Sequence, residues 1–430
     1  MVLVVGHRIA SDPLSSRIAM THASCRFCGT SLEHVFADLG MSPLSNSNVP
    51  VERANAMEPF YPLCALVCHS CFLVQLEDFE SPQHIFDEQY AYFSSYSSSW
   101  LAHCRRYVEQ TTDTLGLDAS SQVIELASND GYLLQYFVER GIPALGIEPS
   151  ANTARVAIDR GVPTRVEFWG KQTARAVTAA GTRADLLLGN NVLAHVPDIN
   201  DFVAGMKIAL KEGGTITIEF PHLLKLIELN QWDTIYHEHF SYLSFSTVAR
   251  IFAAHGLRLF DVEEIPTHGG SLRVFGCHAD DSRERSAAAG ELLEEELAAG
   301  LEELGTYLDY GARVIEDKRQ ILSFLIELKA AGNSIAGYGA AAKGNTLLNY
   351  CGVGRDFLDF TCDANPGKQG HLLPGTHVPI LAPDAIRERR PDVVLILPWN
   401  IKDEIMEELS YIREWDGRFA ARSPELRLFP

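Results

Sequence analysis

The sequence predicts an α/β protein built from three consecutive parts, and three observations carry this prediction. Two C-x-x-C pairs lie within residues 25–71, ahead of any regular α/β pattern. Buried strands then alternate with helices from about residue 100 to 280, which is typical of a doubly wound sheet. A second strand, glycine turn and helix follow after residue 330. With 430 residues, the chain is long enough for each part to bury its own core.

Composition excludes several classes of partner. The formal charge of −20 argues against a nucleic-acid backbone and against an anionic membrane surface. A small anionic ligand remains possible, because backbone N–H groups can bind a phosphate even on an acidic protein. No apolar run is long enough to span a membrane, and we find no signal peptide. We therefore expect a cytoplasmic monomer, with residues 1–20 as a disordered extension.

The first organised segment contains two cysteine knuckles about forty residues apart. Two tight turns that each present a pair of thiolates complete a tetrahedral zinc site without an open position for substrate. Nine cysteines, four of them in paired spacing, favour a metal site over disulfides. A pair of redox dithiols remains the alternative. The candidate zinc ligands are Cys25, Cys28, Cys68 and Cys71.

The first strand of the central part leads into a tight turn and a helix, and a second strand ends in an acid about twenty residues later. A glycine-bearing turn followed by an acid at this distance is typical of a nucleoside site, with the carboxylate on the ribose. The turn is not G-x-G-x-x-G, so a phosphate-free, cationic ligand such as S-adenosylmethionine fits better than a dinucleotide. The alternative is a doubly wound core whose acids only cap helices. The candidate residues are Glu125, Ala127, Asn129, Asp130, Gly131, Glu148 and Asn191.

The run of residues 236–242 follows the fifth strand and gathers Tyr236, His237, Glu238 and His239. A histidine titrates near neutrality and can act as base or acid, while an adjacent carboxylate can orient it. Ligands of doubly wound sheets sit at the carboxyl ends of the strands, so this run is expected over the reactive end of the donor. A polar surface loop and a metal site are the alternatives.

The C-terminal part repeats the strand–turn–helix pattern at residues 333–346, and a further strand ends near residue 363. Such a turn points several N–H groups at an anion, although it lacks the Gly-Lys-Ser/Thr of a Walker A loop. Simple helix–strand packing is the alternative. The candidate substrate-binding residues are Gly337, Gly339, Ala340, Lys343, Asn345, Asp363, Asn365 and Lys368.

Taken together, these motifs resemble the sugar C-methyltransferases of deoxysugar biosynthesis, which act on dTDP-linked 4-keto-6-deoxysugars. The resemblance runs from about Cys25 to the C-terminus. It rests on the cysteine knuckles and on five short motifs: FSSYS from residue 93, ELASNDG from 125, NVLAH from 191, YHEH from 236 and GYGAAAKG from 337. One departure is Ala127, where the family usually has glycine; its methyl group is tolerable there but narrows the donor turn.

The resemblance implies a zinc-bearing domain over residues 21–85, a class I S-adenosylmethionine-dependent methyltransferase domain with a Rossmann-like fold over 86–280, and a Rossmann-like nucleotide-sugar domain over 281–430. It also implies that His239 is the proton-abstracting base, with Tyr236, Glu238 and His195 around the reacting sugar. Tyr92 and Tyr96 would close over donor or sugar. The expected reaction is C-methylation beside a C-4 ketone, at C-3 rather than C-5.

Three other functions remain open at this stage. An O- or N-methyltransferase would need the same donor turn but no carbon acid. A non-catalytic zinc- and nucleotide-binding module would give the titratable side chains of residues 236–242 no function. A nicotinamide oxidoreductase fits the turn at residues 129–131 poorly, because that turn suits no pyrophosphate.

Overall fold

The computed structural model describes residues 23–81, 93–422 and 425–430. The expected extension at residues 1–20 therefore lies outside the described residues. An N-terminal sheet has the order β1-β3-β4-β10, with antiparallel pairing throughout. A two-residue strand, β2, lies between β1 and β3 along the chain. The bounds are β1 His34–Ser42, β2 Val49–Pro50, β3 Tyr61–Val67, β4 Val74–Gln75 and β10 Ser241–Tyr242.

The central part is a seven-stranded sheet of order β11-β12-β9-β8-β5-β6-β7. The strands β9-β8-β5-β6-β7 run parallel, whereas β12 and β11 form an antiparallel edge on β9. The inner strands β5 and β8 are almost wholly buried and mainly apolar, as a sheet covered on both faces requires; Glu125 of β5 is a buried exception. The bounds are β5 Val123–Leu126, β6 Ala144–Ile147, β7 Thr164–Arg165, β8 Ala184–Asn190, β9 Leu210–Pro221, β11 Leu257–Ile265 and β12 Ser271–His278.

Helices alternate with these strands along the chain, so the doubly wound prediction is confirmed. Helix α1 precedes β5; its Ser97 cap accepts a hydrogen bond from the backbone N–H of Trp100, and Gly116 ends it in the left-handed conformation. The bounds are α1 Ser98–Leu115, α2 Leu134–Glu139, α3 Ala151–Asp159, α4 Lys171–Ala179, α5 Ile199–Ala209, α6 Leu223–Glu228 and α7 Phe245–Ala254.

The C-terminal part begins with three helices. A six-stranded sheet of order β16-β14-β13-β17-β18-β19 follows, parallel except for β19. The helices are α8 Ala287–Ala298, α9 Leu304–Leu308, α10 Tyr310–Ala330, α11 Ala342–Cys351, α12 Asp384–Arg389 and α13 Lys402–Glu408. The strands are β13 Ile335–Tyr338, β14 Thr361–Cys362, β15 His371–Leu372, β16 Ile380–Leu381, β17 Val393–Ile396, β18 Arg418–Arg422 and β19 Leu426–Phe429.

The three parts contact one another through shared strands. Strand β10 belongs to the central part of the sequence but pairs with β4 of the N-terminal sheet. Strand β15 of the C-terminal part pairs with β2. Phe36 of β1 stacks on Tyr310 of α10, with ring centroids 4.5 Å apart. The segment with the titratable run is therefore held between the N-terminal and C-terminal parts. No helix of the described chain is long and apolar enough to cross a membrane.

Candidate active site

The run of residues 236–242 is buried and is not the surface loop that one interpretation allowed. His237, Glu238 and His239 are each at most 9% exposed. The run follows a short 3₁₀ turn, Trp232–Thr234, and ends in β10. The backbone N–H of Tyr236 donates to the hydroxyl of Tyr242 at 3.2 Å, which folds the run back on itself. Its side chains are thus fixed by packing and hydrogen bonds on both sides.

His239 has one defined tautomer in this environment. Its Nδ1 lies 3.0 Å from the carbonyl oxygen of Thr234, and only an N–H can donate to a carbonyl. Nε2 is then the unprotonated nitrogen, and it accepts from the Tyr236 hydroxyl at 2.8 Å. Burial lowers the pKa of His239 well below its usual value, and the charge of a protonated His195 would lower it further. The imidazole is therefore neutral at physiological pH, with a basic nitrogen beside a phenol.

Glu238 is the second titratable group of the run. Burial raises its pKa to about 7, against the opposing effects of an Asn46 hydrogen bond and the charge of Lys368. The Asn46 side-chain amide donates to both carboxylate oxygens, at 2.6 and 2.9 Å. Because Asn46 lies in the loop after β1, the N-terminal part contributes directly to this site. Glu238 can exchange a proton near neutral pH.

The other two histidines have different surroundings. The His195 ring lies edge-on to His239, with centroids 4.7 Å apart, and it hydrogen-bonds the backbone of Glu238. Burial lowers the pKa of His195 to about 4. His237 points the other way, where its Nε2 lies 3.1 Å from the carbonyl oxygen of Pro62. His195 therefore lies with His239 and Tyr236 and contacts Glu238 through its backbone, whereas His237 anchors the run to β3.

The donor turn after β5 has the backbone conformation that the sequence pattern predicts. Ala127, Asn129 and Gly131 all have positive φ, of 56°, 48° and 76°. Ala127 is thus a non-glycine residue in the left-handed region, a position that favours glycine. At Gly131 an added Cβ would lie 3.1 Å from the side chains of Ala157 and Val162, so close packing also requires glycine.

Glu148 follows β6 and faces this turn. Its two oxygens accept from the backbone N–H groups of Asn129 at 2.9 Å and Ser150 at 2.8 Å. This places the carboxylate beside the turn, after the second strand, where the sequence pattern predicts a ribose-binding acid. Asn191 follows β8 at the same edge of the sheet, also with positive φ, and its Nδ2 lies 3.0 Å from His268 Nε2. The candidate donor residues therefore meet at the carboxyl ends of β5, β6 and β8.

The segment of residues 93–96 closes over the donor turn. The backbone N–H of Ser94 donates to Asn129 Oδ1 at 3.0 Å, and the Ser95 hydroxyl donates to Asp130. Asp130 also forms an ion pair with Arg160 at 3.2 Å. One oxygen of its carboxylate is therefore occupied by neighbouring side chains of the protein. Tyr96 is exposed and stacks on Phe93, with centroids 5.4 Å apart. Tyr92, the other predicted aromatic residue, lies outside the described residues.

The electrostatics of this region fit a cationic ligand. Burial raises the pKa of Glu125 well above its usual value, and the nearby carboxylates Glu148 and Asp130 raise it further. Among the described residues, Asn191 Oδ1 and Asp130 Oδ1 are buried without a protein partner. S-adenosylmethionine carries an ammonium and a sulfonium group, which would relieve crowded carboxylates and satisfy such acceptors.

The C-terminal turn after β13 is organised by Asp363. Its carboxylate accepts from the backbone N–H groups of Ala340 at 2.7 Å and Asn365 at 2.8 Å. Lys368 donates to the Ala340 carbonyl at 2.7 Å and lies 3.7 Å from Asp363. Gly339 has a φ of 93°, and an added Cβ would lie 2.5 Å from Pro398. The turn thus brings polar backbone and a lysine together at the carboxyl end of β13.

The remaining predicted substrate residues divide into two groups. Lys343 donates to Asn400 at 2.6 Å and lies 4.7 Å from the Trp399 ring centroid, and burial lowers its pKa to about 8. Gly337 lies inside β13, where an added Cβ would meet the Thr361 side chain at 2.7 Å. Asn345 donates to the Ser45 carbonyl at 2.6 Å. Gly337 and Asn345 therefore make contacts that hold the fold. The charge of Lys343, by contrast, lowers the pKa of His239.

The four predicted zinc ligands converge on one point. Their Sγ atoms all lie within 4.8 Å of one another, and two S–S separations are 3.5 Å. Zn–S bonds of about 2.3 Å in a tetrahedron place sulfurs roughly 3.8 Å apart, so the group fits a zinc ion. Among the described residues, this is the one group of three or more His, Cys, Asp or Glu side chains with metal-ligand spacing. Within the described part of the chain, residues 236–242 contribute to no such group, so the structure gives no support to the metal interpretation of that run.

Sequence patterns did not reveal several residues of this site. Asn46 lies in a loop rich in Pro, Ser and Asn, and no spacing connects it with Glu238. His268 and Trp399 each follow a strand, and position at a strand end is the only signal that could have drawn attention to them. Asp233, buried just before the titratable run, has no signal beyond its charge.

Three family models match consecutive parts of the chain. They are described as “Putative zinc binding domain” over residues 25–86, “Methyltransferase domain” over 100–262 and “C-methyltransferase C-terminal domain” over 266–424. The C-methyltransferase NovU of Streptomyces niveus is 35% identical, over 94% of this chain and 96% of its own length.

The chain belongs to the C-methyltransferase family.

Other similar proteins match only a part of this chain or superimpose poorly on its structure. A ubiquinone biosynthesis O-methyltransferase of Methylobacterium nodulans is 34% identical, but over only 26% of this chain and 45% of that protein. The structure of magnesium protoporphyrin IX methyltransferase from Synechocystis PCC 6803 covers 41% of this chain and 82% of that chain at 13% identity. Its TM-score of 0.33 is too low to bear on function.

Membership of the C-methyltransferase family confirms the predicted activity class. The protein is an S-adenosylmethionine-dependent C-methyltransferase with a structural zinc site in its N-terminal part. The predictions of an oxidoreductase, of an O- or N-methyltransferase and of a non-catalytic module are set aside, because the match to NovU spans nearly the whole chain. The identity of the acceptor and the roles of single residues are questions for the site geometry.

Proposed function

We propose that this C-methyltransferase transfers a methyl group to the carbon beside the C-4 ketone of a dTDP-linked 4-keto-6-deoxysugar. One observation carries the proposal: a neutral, buried His239 lies against Tyr236 and His195, and the charge of Lys343 at the start of α11 acts on it. A sugar carbon becomes a nucleophile only after losing a proton. This site holds a base for that proton and lies beside the donor site.

The donor site supports the same chemistry. Bound S-adenosylmethionine supplies an electrophilic sulfonium methyl group. Glu148 would bind its ribose, and the turn with Ala127, Asn129 and Gly131 would hold the rest of the nucleoside, closed over by residues 93–96. Holding both reactants at contact distance supplies much of the rate enhancement.

Proton abstraction would use the Nε2 lone pair of His239. The Thr234 carbonyl holds Nδ1–H, so Nε2 carries a lone pair without prior deprotonation at physiological pH. The Tyr236 hydroxyl that donates to Nε2 would turn from it to the ketone oxygen when the substrate binds. The C–H bonding pair moves toward the ketone, and negative charge collects on its oxygen as an enolate. Tyr236 or His195 would donate a hydrogen bond to that oxygen, a contribution of about 3 kcal/mol for a well-placed donor. The enolate carbon then forms its bond to the methyl group as the sulfur–methyl bond breaks.

The C-terminal turn would hold the nucleotide of the acceptor. Lys343 and Lys368 offer cations on a chain with a formal charge of −20, whereas the backbone N–H groups of Ala340 and Asn365 are held by Asp363 and shape the turn. The charges of both lysines act on the cluster, since Lys368 lowers the pKa of Glu238 and Lys343 that of His239. A nucleotide at this turn would therefore place its sugar at the cluster. We favour C-3 as the methylated carbon, with C-5 as the alternative.

The test follows the acidic proton separately from methyl transfer. Purified enzyme with S-adenosylhomocysteine and a dTDP-4-keto-6-deoxysugar in D₂O should exchange the proton at C-3 faster than the free sugar does. His239→Ala and His239→Asn should slow this exchange by about 100- to 10,000-fold. His237→Asn is a matched control, because His237 bonds the Pro62 carbonyl on the other side of the run.

Two results would contradict the proposal. Exchange at the wild-type rate in both His239 variants would remove His239 as the base. A wild-type enzyme that neither exchanges nor methylates any 4-keto sugar would reject the acceptor class. NMR of the methylated product assigns the ring carbon, and a methyl group on oxygen would contradict carbon-acid chemistry.

A further inference from the structure

Asp233 connects the segment before the titratable run with two elements of the C-terminal part. It lies in the 3₁₀ turn Trp232–Thr234 and is 0% exposed. Its Oδ1 accepts from Arg422 of β18 at 3.0 Å, and its Oδ2 accepts from the indole N–H of Trp399 at 2.6 Å. One buried carboxylate therefore bridges the central and C-terminal parts.

The same turn fixes the candidate base. Thr234, the next residue along the chain, provides the carbonyl that accepts Nδ1–H of His239 at 3.0 Å. The carbonyl of Ile235 accepts from the Thr346 hydroxyl of α11 at 3.0 Å. The orientation of His239 thus depends on a short piece of backbone that Asp233 and Thr346 attach to the C-terminal part.

Asp233 also acts on Lys343. The Lys343 ammonium lies 4.7 Å from the centroid of the Trp399 ring whose N–H bonds Asp233. Burial lowers the pKa of Lys343 to about 8, and the charge of Asp233 opposes this decrease. Asn400 accepts from the ammonium, and the charge of Lys343 lowers the pKa values of His239 and His268. Among the described groups, Asp233 is the anion that keeps Lys343 charged.

The energetics of the buried Asp233–Arg422 ion pair favour a positioning role for Asp233 over a stabilising one. A buried ion pair rarely stabilises a protein more than apolar residues of the same volume would, because desolvation offsets the attraction. Arg422 is nevertheless buried between two carboxylates, since Asp317 Oδ2 lies 3.0 Å from its Nε and also accepts from Trp232 at 2.6 Å. The described hydrogen bonds of Asp317 go to Trp232 and Arg422, whereas that of Trp399 goes to Asp233, so the two acids differ in their connection to Lys343.

We propose that Asp233 is a positioning residue that couples anion binding at Lys343 to the orientation of His239. A diphosphate on Lys343 would restrain the ammonium against Trp399, and Asp233 would pass that restraint to the Thr234 carbonyl. The seated nucleotide would thereby hold His239 in the orientation that its bond to Thr234 defines. This inference rests on the proposed function for the diphosphate, but the link from Lys343 through Trp399 and Asp233 to His239 does not.

The test compares Asp233→Asn with Asp317→Asn in the full-length zinc-bound protein. Lysine labelled with ¹³C at Cε reports the titration of Lys343, assigned by its loss in Lys343→Met. Asp233→Asn should lower the Lys343 midpoint by about one pH unit, because an attractive charge is removed. It should also slow proton exchange at the keto-sugar carbon at least tenfold and weaken binding of dTDP. Asp317→Asn, which also deprives Arg422 of a carboxylate, should keep the midpoint and the exchange rate near wild type.

A second variant covers the case in which Asp233→Asn does not fold. Trp399→Phe retains a ring beneath Lys343 but removes the N–H that bonds Asp233, so it should slow exchange in the same direction. If the titration midpoint of Lys343 were unchanged in Asp233→Asn, the inference would be overturned. Proton exchange at the wild-type rate in Trp399→Phe would overturn it as well. Equal losses in Asp233→Asn and Asp317→Asn would also overturn it, since they indicate only a stabilising role. Absence of dTDP binding and exchange in the wild-type enzyme would instead reject the proposed function, because the titration is measured without substrate.

Discussion

The side-chain amide of Asn46 donates to both carboxylate oxygens of Glu238, across 192 residues of chain. Asn46 belongs to the loop after β1, and Glu238 precedes β10, which pairs with β4 of the same N-terminal sheet. The zinc-bearing part therefore does more than hold its own fold, because it sets the protonation of an acid in the candidate active site.

Replacing Asn46 with Ala should move the pH dependence of proton exchange. The Asn46 hydrogen bonds lower the pKa of Glu238 from the higher value that burial alone would produce. Without them, the pKa should rise from about 7, and the acidic limb of the exchange profile should move to higher pH by about one unit. Asn48→Ala is a matched control, because Asn48 lines a surface pocket with Pro50 and Tyr61. A profile that does not move would show that Glu238 does not limit exchange.

Replacing Glu238 with Gln should stabilise the protein at high pH. The pKa of Glu238 is about 7 in the folded state and 4.5 in an unfolded chain, so the folded state binds more protons between these values. Its free energy of unfolding therefore falls as pH rises from 4.5 to 7. Gln cannot ionise and so removes this penalty. The free energy of unfolding of Glu238→Gln should exceed that of wild type by on the order of 2–3 kcal/mol at pH 8 and by little at pH 4.5.

Urea denaturation of wild type and Glu238→Gln at both pH values measures this difference. Glu291→Gln, on the exposed side of α8, is the control for a neutralised acid without burial. A gain of equal size at both pH values would contradict a raised pKa for Glu238. Activity should fall in Glu238→Gln while stability rises, as in other sites where function and stability compete.

Replacing Ala127 with Gly should stabilise the donor turn. Ala127 has a φ of 56°, and a left-handed backbone costs a non-glycine residue about 1–2 kcal/mol. Glycine removes this strain but increases the entropy of the unfolded chain, so we expect a net gain of about 0.5–1 kcal/mol. Ala180→Gly is a matched control, because Ala180 has a φ of −76° at the end of α4 and should lose stability instead. A loss in both variants would show that Ala127 is not strained.

Removing a zinc ligand should abolish activity as well as lower stability. Cys68→Ser removes a thiolate from the group of four, and the zinc content measured by metal analysis should fall with the melting temperature. Strand β4 begins three residues after Cys71 and pairs with β10, so the candidate active site should lose its support. Cys64→Ser is the control, since Cys64 lies in β3 outside the ligand group. Full activity in a zinc-free Cys68→Ser protein would contradict this coupling.

Local patterns were sufficient for the parts of this protein that local chemistry determines. The spacing of Cys25 and Cys28 brings two thiolates onto one turn regardless of the remaining fold. Apolar strands such as β5 and β8 and the turn at residues 127–131 follow from hydrophobic pattern and backbone preference. Sequence alone therefore predicted the zinc site, the doubly wound sheet and the position of the donor turn.

Tertiary structure decided how these local elements act on one another. Burial raises the pKa of Glu238, lowers that of His239 and lowers that of Lys343, and burial depends on how the three parts pack. The pairing of β10 with β4 and the contacts of Asp233 with Arg422 and Trp399 join residues far apart along the chain. Proton affinity depends on the surroundings of a group, and no pattern along the sequence specifies those surroundings. The titratable run was therefore visible in the sequence, but its chemistry was set only by folding.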